Sequence, residues 1–596
     1  NNFLLWPEGE MVINSFPLVA NLRIEKSFVD RRISIDVQER EALGVWCDYP
    51  DAEQQCWWFD NRSLLFEEAP NLEGSLIILI EEGKEKVEIG LGKRGLADKP
   101  WYNMNIIIGP PGTGKTSTLL SLVENHIEKG IAPDKIGYFA FTKKAATEAK
   151  ERMLDQNPHI SEKELKHFRT LHSLAFWKLG MKKSQVMQDE HYEDIGRNLG
   201  IEVTVYNNGQ ETTGFVDSDS EYFNIINAAR IKEISTEAEY NTDMYSQDLD
   251  RNLLHILKAE LDNYKKAYSL KDYTDMIENF IVSELCPKYD VVFIDEAQDL
   301  SPIQWKMFDI LKKNSKHIIL AGDDDQAIYG WAGADVKRFQ QEPAKEIVLP
   351  QSYRVPKLVQ NIADNILSRI PDERRLKKKW KARNEDGFVQ YVTSIEDVPL
   401  HEGKWLVLAR YNDKLIKLKP VLRDMGIYFE YKNRKSYKTR LYAAIQNYRR
   451  WTIGSRLSIS ECKDLFEFFG KEFPEKEERL YDLKEFGYSP TQQWFEVFET
   501  EPEDSLYIRN MMEGGEKLSK EARVKLSTIH AAKGGEADNV LLILDTTKTI
   551  REAAEKSLDK EDEENRVWYV GVTRTKQNLY IMAAKKEAKG YDIESI

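Results

Sequence analysis

Apolar and polar positions along the chain fall into distinct regimes. Over residues 1 to 100 the apolar runs are short and mostly alternate with polar residues, as in Leu22 to Phe28, Arg32 to Val37, Ser75 to Ile80 and Lys86 to Leu91. A period of two belongs to strands with one buried face, and it predicts a small β-rich module. From Asn105 onward the apolar runs become continuous: Asn105–Ile108, Ile136–Phe141, Val291–Ile294 and His317–Ala321, interleaved with helical patterns such as Ser117–Lys129 and Thr142–Arg152. Continuous runs suit strands covered on both faces, and strands alternating with helices predict a parallel doubly wound sheet with its ligand at the carboxyl ends of the strands. Ile347–Pro350, Trp405–Ala409, Val524–His530, Val540–Leu544 and Asn578–Met582 predict a second such sheet. Two helical, polar stretches interrupt the pattern, residues 180–285 (broken at Asn207-Asn208-Gly209) and 435–520, and read as insertions. The expected fold class is therefore α/β: a β-rich module over 1–100, then doubly wound domains over 101–345 and 346–596, each with a mostly helical insertion. Glu555 to Glu564 reads as an exposed acidic connection or helix.

Chemistry enters at the first of these continuous strands. Ile106 to Ser117 runs I-I-I-G-P-P-G-T-G-K-T-S, and Gly109-x-x-x-x-Gly114-Lys115-Thr116 fits a phosphate-binding loop at every position. Glycines there let successive backbone N–H groups wrap phosphate oxygens, and the following helix adds a partial positive charge. Gly109, Pro110, Gly112, Thr113, Gly114, Lys115, Thr116 and Ser117 form the expected cradle, with Lys115 on the outer phosphates and Thr116 on Mg²⁺. Val291–Ile294 ends in Asp295-Glu296. Downstream of such a loop, that pair is expected to hold Mg²⁺ through Asp295 and to orient and deprotonate the attacking water through Glu296. Gln326, just past the strand His317–Ala321, is placed to sense a γ-phosphate, with Tyr329 and Trp331 beyond it able to touch a second ligand.

Composition narrows the class. The chain has 596 residues, 41% hydrophobic and 31% charged, as a folded soluble protein of about three to five domains would. No apolar stretch approaches a membrane span, and no signal-peptide pattern opens it. Cys47, Cys56, Cys286 and Cys462 are scattered without C-x-x-C spacing, which argues against a structural metal or disulfide framework and for a reducing cytoplasm. A net charge of −15 argues, by itself, against nucleic-acid binding. A motor that tracks a strand needs only a local basic groove, however, and Arg374–Lys381 and Lys432–Arg450 are candidate patches. A charge run is more often a solvated face. Trp57-Trp58-Phe59 is either a binding platform or, more ordinarily, the core of the small module.

From Asn105 to Ala583 the chain resembles the superfamily 1A helicases of the UvrD/Rep/PcrA type, through blocks that follow the family's order. Phe139-Ala-Phe-Thr-Lys-Lys-Ala-Ala146 and Phe168-Arg-Thr-Leu-His172 resemble its first two DNA-contact motifs. Asp295-Glu-Ala-Gln-Asp299 and Gly322-Asp-Asp-Asp-Gln-Ala-Ile-Tyr-Gly-Trp-Ala-Gly-Ala-Asp335 follow, the latter the most diagnostic. Gln351-Ser-Tyr-Arg354, Thr528-Ile-His-Ala-Ala-Lys-Gly-Gly-Glu536 and Val567-Trp-Tyr-Val-Gly-Val-Thr-Arg574 complete the set.

The resemblance implies two RecA-like motor domains that hydrolyse ATP with Mg²⁺, track single-stranded DNA 3′ to 5′ and split duplex at single-strand/double-strand junctions. It implies that Gln326 contacts the γ-phosphate, that Arg354 and Arg574 act as arginine fingers from the second domain, that Tyr353 stacks on adenine and that Glu536 meets the ribose. Phe141, His172, Tyr329 and Trp331 would stack on bases, and Thr142, Thr528 and His530 would contact phosphates. For Phe141 and Tyr329, a place in the core is the competing reading. The sequence departs from the family pattern in three places. Arg94 to Asn103 has no adenine-reading glutamine, the 435–520 insertion is shorter than the family's regulatory subdomain, and Gly535 and Ala537 replace apolar residues. Two other readings stay open: a 5′ to 3′ RNA helicase, and a non-unwinding, DNA-dependent ATPase that displaces or loads proteins, with residues 1–100 as its docking arm.

Overall fold

The structure is a computed structural model that describes residues 104–203, 220–242, 249–584 and 590–593, together with the backbone of eight strands before residue 104. The chain divides into two compact units, Asn1–Met104 and Asn105–Ile596. In the first, strands β1 to β8 span Glu10–Ile13, Leu22–Ser27, Arg32–Val37, Leu43–Cys47, Gln55–Phe59, Ser63–Leu65, Leu76–Glu82 and Glu85–Leu91. They pair antiparallel in two four-stranded sheets, ordered β1-β2-β3-β6 and β5-β4-β7-β8. The alternating runs of the sequence coincide with β2, β3, β7 and β8. The side chains of Trp57, Trp58 and Phe59, and the segment Arg94–Asn103, lie outside the described residues, as does Asn207–Gly209.

The second unit is mixed α/β, built on two sheets of RecA-like type. In one, strands β9 to β14 span Met104–Ile108, Ile136–Phe139, Phe168–Arg169, Tyr289–Ile294, Ser315–Gly322 and Lys345–Val348, in the order β11-β10-β12-β13-β9-β14. In the other, β15 to β21 span Phe388–Val392, Trp405–Ala409, Phe429–Tyr431, Arg434–Lys435, Val524–Thr528, Ala537–Ile543 and Thr575–Met582, in the order β15-β21-β20-β16-β19-β17-β18. Its pairs run parallel except the β17–β18 hairpin. The central strands β12 and β16 are buried nearly throughout, which is why their sequences are unbroken apolar runs. Strand ends therefore aim at one rim. In the first sheet β9, β10, β12 and β13 lead into Gly109, Phe141, Asp295 and Gln326; in the second, β16 and β19 lead into Arg410 and Thr528.

The insertions differ from each other. Helices of the first, including Glu221–Lys232 and Arg251–Tyr268, close a separate core around Tyr192, Phe223, Leu254, Leu257 and Leu261. The second, with helices Thr439–Thr452, Ile459–Phe468 and Pro502–Glu513, shares one continuous core with its sheet, from Val407 and Leu526 through Tyr448 and Trp451 to Phe466. It is part of the lobe rather than an appended subdomain.

Two charged runs are partly neutralised by segments distant in sequence. The acidic stretch Glu555–Glu564 is helical and mostly exposed, as expected: it ends helix Lys548–Lys556 and opens helix Leu558–Val572, but Asp562 and Glu564 are buried. They are buried because cations from elsewhere reach them, Arg374 onto Asp562 and Arg410 Nε onto Glu564 at 2.9 Å, with Trp568 Nε1 donating to Glu564 at 2.8 Å. In Arg374–Lys381, Arg374, Arg375 and Lys378 turn onto carboxylates, which leaves Lys377, Lys379 and Lys381 as the exposed cations of the run. Among the described residues no helix is long and apolar enough to cross a membrane.

Candidate active site and strand-contact surface

The phosphate loop leaves β9 and is stitched to the neighbouring strand by Gly109 N–H donating to Gly322 O at 3.0 Å. Gly112 (φ +73°) and Gly114 (φ +82°) take left-handed backbone, which their lack of a Cβ permits. Lys115 opens helix Lys115–Glu128, and its Nζ donates to Gly109 O at 2.7 Å, folding the ammonium back over the loop. Thr116 Oγ1 donates to Asp295 Oδ2 at 2.8 Å, and Tyr138 O–H donates to the same oxygen at 3.1 Å. A threonine hydroxyl and a carboxylate face to face are hard oxygen donors, which fits Mg²⁺.

Asp295 and Glu296 sit side by side in a buried setting and are driven apart electrostatically. Burial and the Glu296 charge push Asp295 up to about 6, although Thr116, Lys115 and Tyr138 pull the other way. Burial also disfavours ionised Glu296, but Lys115, Lys533, Gln298 and Arg574 outweigh it and hold the group at about 2. Glu296 has φ +57°, a left-handed conformation costly for a side chain of this kind. Gln298 Nε2 donates to its Oε2 at 2.6 Å and keeps the carboxylate aimed.

The second lobe closes on this loop. Tyr353 N–H donates to Gly112 O at 2.8 Å, and Ser352 Oγ donates to Pro111 O at 2.7 Å. A Cβ on Gly112 would fall 2.3 Å from Arg354 Cβ, so only glycine allows the approach. Gly112→Ala is expected to hold the lobes apart and to raise the KM for ATP while leaving the thermal midpoint of each lobe near wild type. An unchanged KM in steady-state ATPase assays would contradict this contact. Arg354 Nε donates to Glu536 Oε2 at 2.6 Å, and Lys576 pairs with the other oxygen at 2.8 Å. Tyr353 is 74% exposed beside them. Arg574 is fully buried: Nε donates to Val570 O at 2.9 Å, Nη1 to Gly535 O at 3.2 Å and Nη2 to Gln326 Oε1 at 3.2 Å. Burial and the nearby Arg354 lower Arg574 to about 9, so it stays cationic at neutral pH. Lys533 Nζ spans the lobes as well, at 2.5 Å from Asp299 Oδ2 and 2.6 Å from Gln326 O. Burial outweighs that lysine and pushes Asp299 up to about 7.

The residues expected to grip a strand form one aromatic cluster across the same seam. Phe141 and Tyr329 stack with centroids 5.4 Å apart. Tyr329 lies 6.2 Å from His530 and 6.5 Å from Trp331, and Trp331 meets His530 edge-on at 6.2 Å. Thr142 Oγ1 caps helix Lys143–Gln156 by accepting from Ala145 N–H, and Thr528 Oγ1 accepts from Ala531 N–H. Both bonds leave the hydroxyl protons for an outside acceptor. His172 makes no ring contact with this cluster among the described residues. It is buried, edge-on to Tyr273 at 5.8 Å, and it walls a small cavity with Phe141, Thr170 and Asp295.

Burial lowers His172 to about 4, and burial with Arg410 and Lys533 lowers His530 well below its ordinary value. Both imidazoles are thus neutral when folded, while the unfolded chain takes up protons below about 6.5. Each therefore pulls stability down as pH drops, by about 1.4 kcal/mol per pH unit below about 6.5 until its folded value is reached, whereas Asp295 and Asp299, raised to about 6 and about 7, push the other way. His172→Gln is therefore expected to make the urea midpoint fall less, or rise more, than in wild type between about pH 7 and about pH 5, and an unchanged pH dependence would contradict the burial of His172.

Several contributors went unread in the sequence. Tyr138 is hidden inside an apolar strand. Gln298 and Lys533 stand inside quoted motifs, but their partners come from distant segments. Asp323 lies beside Gln326 and accepts its Nε2–H at 2.7 Å.

The chain matches the UvrD/REP helicase N-terminal domain over residues 97–345 and the UvrD-like helicase C-terminal domain over residues 406–586. It is 24% identical over 515 residues to a probable DNA helicase of Mycoplasma pneumoniae, covering 81% of each chain. Similarity to the ATP-dependent DNA helicase PcrA of Staphylococcus aureus is 25% over 325 residues, 49% of this chain and 41% of PcrA. A probable DNA helicase II homolog of Rickettsia conorii is 23% identical over 631 aligned positions, 82% of this chain and 91% of that one. Both halves of the family's domain set lie in order on the two sheets, and this chain belongs to the UvrD/Rep/PcrA-type superfamily 1 DNA helicases.

Proposed function

We propose that the chain is an ATP-driven motor that tracks single-stranded DNA 3′ to 5′ and separates duplex at single-strand/double-strand junctions. One observation carries the reading: the segment Gln326 to Trp331 begins against Arg574 and ends in the aromatic cluster. A change at the phosphate end is thereby delivered to the strand end by a few residues of chain.

On this reading residues 101–345 and 346–596 are the motor domains, and residues 1–100 form a separate module for a protein partner. Gly109 to Ser117 cradle the triphosphate, Tyr353 covers the base and Glu536 meets the ribose. Thr116 and Asp295 would hold Mg²⁺, whose charge would offset that on the phosphate oxygens. Glu296 orients the attacking water and accepts its proton. Arg354 and Arg574 neutralise charge on the transferring phosphoryl group, and only closed lobes bring both to it. Loss of the γ-phosphate removes what Gln326 and the arginines share, so the lobes reopen and the aromatic cluster releases and regrips the strand. Stacking of roughly 1–3 kcal/mol per base is insensitive to sequence, which suits a motor that must not stall at particular sites.

Trp331→Ala is expected to uncouple the motor, leaving DNA-stimulated ATPase and removing strand displacement; unchanged displacement would make Trp331 a packing residue. Strand displacement on substrates with a 3′ or a 5′ single-stranded tail tests the function itself. Unwinding from the 3′ tail supports it. Unwinding from a 5′ RNA tail alone would favour an RNA helicase, and ATPase without unwinding would favour a protein-displacing switch.

A further inference from the structure

The basic run that opens the second lobe hides its central lysine. The Lys378 side chain is 1% exposed, with Nζ 2.5 Å from Asp323 Oδ1, 2.9 Å from Asp325 Oδ2, and in contact with Asp324 Oδ1. Arg375 forks onto both oxygens of Asp325 at 2.7 Å each. Three buried carboxylates this close have a spacing that could hold a metal ion, but an ammonium group stands among them. The carboxylates follow β13 in the first lobe, whereas Lys378 lies between helix Lys357–Leu367 and β15 in the second.

Replacing a buried ion cluster by apolar side chains is often neutral or stabilising, so stability alone is a poor reason to keep one. Asp323 offers a better reason. Its Oδ1 faces Lys378, while its Oδ2 accepts Gln326 Nε2–H at 2.7 Å. With the amide N–H₂ turned to Asp323, the amide oxygen of Gln326 faces Arg574 Nη2 at 3.2 Å. The reverse orientation would set oxygen against carboxylate and N–H₂ against guanidinium, two mismatched pairs.

We propose that Lys378 is a positioning residue for ATP hydrolysis: it keeps Asp323 an ionised acceptor, Asp323 fixes the amide of Gln326, and Gln326 seats Arg574. The inference rests on the reading of Gln326 and Arg574 as γ-phosphate groups. Asp323 is faced by Lys378 from the second lobe, by Asp324 and Asp325 on its own loop, by Lys115 of the phosphate loop, and by Tyr569 of helix Leu558–Val572. Burial raises the Asp323 carboxyl and the two neighbouring aspartates add to this, so Lys378 is the main group that keeps it charged. Without Lys378, Asp323 takes a proton and becomes a donor, and the Gln326 amide loses its fixed sense.

Steady-state ATPase with saturating oligonucleotide tests this in the full chain. Lys378→Met is expected to lower kcat at least about tenfold, with the KM for ATP within about twofold of wild type, since Lys378 does not touch the phosphate loop. Adding Asp324→Asn, which removes a carboxylate that contacts Lys378 but not Gln326, is expected to restore most of that loss by rebalancing charge. Wild-type kcat in Lys378→Met overturns the proposal, and so does a double variant as impaired as the single one, which would mark a packing role. Should Lys378→Met not fold, Asp323→Asn, which keeps the lysine and the side-chain shape, carries the same expectation for kcat, and an unchanged value overturns the proposal. Gln326→Ala separates the two levels. If it is fully active, the reading of Gln326 itself fails; if it is inactive while Lys378→Met is active, only the role of Lys378 fails.

Discussion

Replacing Arg574 by alanine is expected to lower the DNA-stimulated kcat by about 10³–10⁵-fold, the range an arginine finger contributes to phosphoryl transfer. The magnitude follows from its setting. Arg574 is fully buried, so its charge acts through little intervening water, and three bonds to Val570, Gly535 and Gln326 hold it before any nucleotide chemistry begins. Burial lowers it only to about 9, which leaves it charged at neutral pH. Alanine would also leave Gln326 Oε1 and Gly535 O without this donor, so some thermal destabilisation should accompany the loss. Arg574→Lys addresses that: it retains the charge without the fork and should recover stability more than rate. The check is kcat and melting temperature measured together. A kcat within a few-fold of wild type in the folded alanine variant would remove Arg574 from the chemistry.

Glu296→Gln carries the second large effect, an expected fall in kcat of about 10²–10⁴, the usual contribution of a positioned general base. The substitution keeps size and polarity, and Gln298 can still donate to the new amide oxygen, so folding should be unaffected. The backbone supports a functional role: a non-glycine residue is held at φ +57° just past the end of a buried strand. ATP affinity should persist, because in the proposed site Lys115 and the loop N–H groups, not Glu296, hold the phosphates. Nucleotide binding by fluorescence alongside single-turnover hydrolysis separates the two. Loss of binding equal to the loss of hydrolysis would assign Glu296 to the cradle instead.

The legibility of the molecule follows the range of the interactions concerned. The parallel strands could be read because burial on both faces forces unbroken apolar runs, as in β12 and β16, and the phosphate loop could be read because its geometry admits only glycine at set positions. The Asp295–Glu296 pair was readable because chemistry requires it at a strand end. What escaped depends on partners distant in sequence. Tyr138 looks like one more core residue until Asp295 is seen beside it. Lys378 looks like a solvated charge until three aspartates from the other lobe surround it. Within the acidic stretch Glu555–Glu564, the burial of Asp562 and Glu564 could not be read because their partners, Arg374 and Arg410, come from afar. His172 shows the opposite limit: its motif is local and clear, but whether a ring faces a groove or a core depends on what packs over it, here Tyr273.

On the proposed mechanism, one triphosphate site is completed by both lobes and is tied to a strand-gripping cluster through Gln326 to Trp331. The most direct test is the steady-state ATPase rate of the intact chain titrated with single-stranded oligonucleotide. The wild-type rate is expected to rise to a saturating plateau, with no rise in Arg354→Ala or Arg574→Ala at the same DNA occupancy. A rate that stays flat as oligonucleotide is added, or a plateau untouched by removing either arginine, would contradict it.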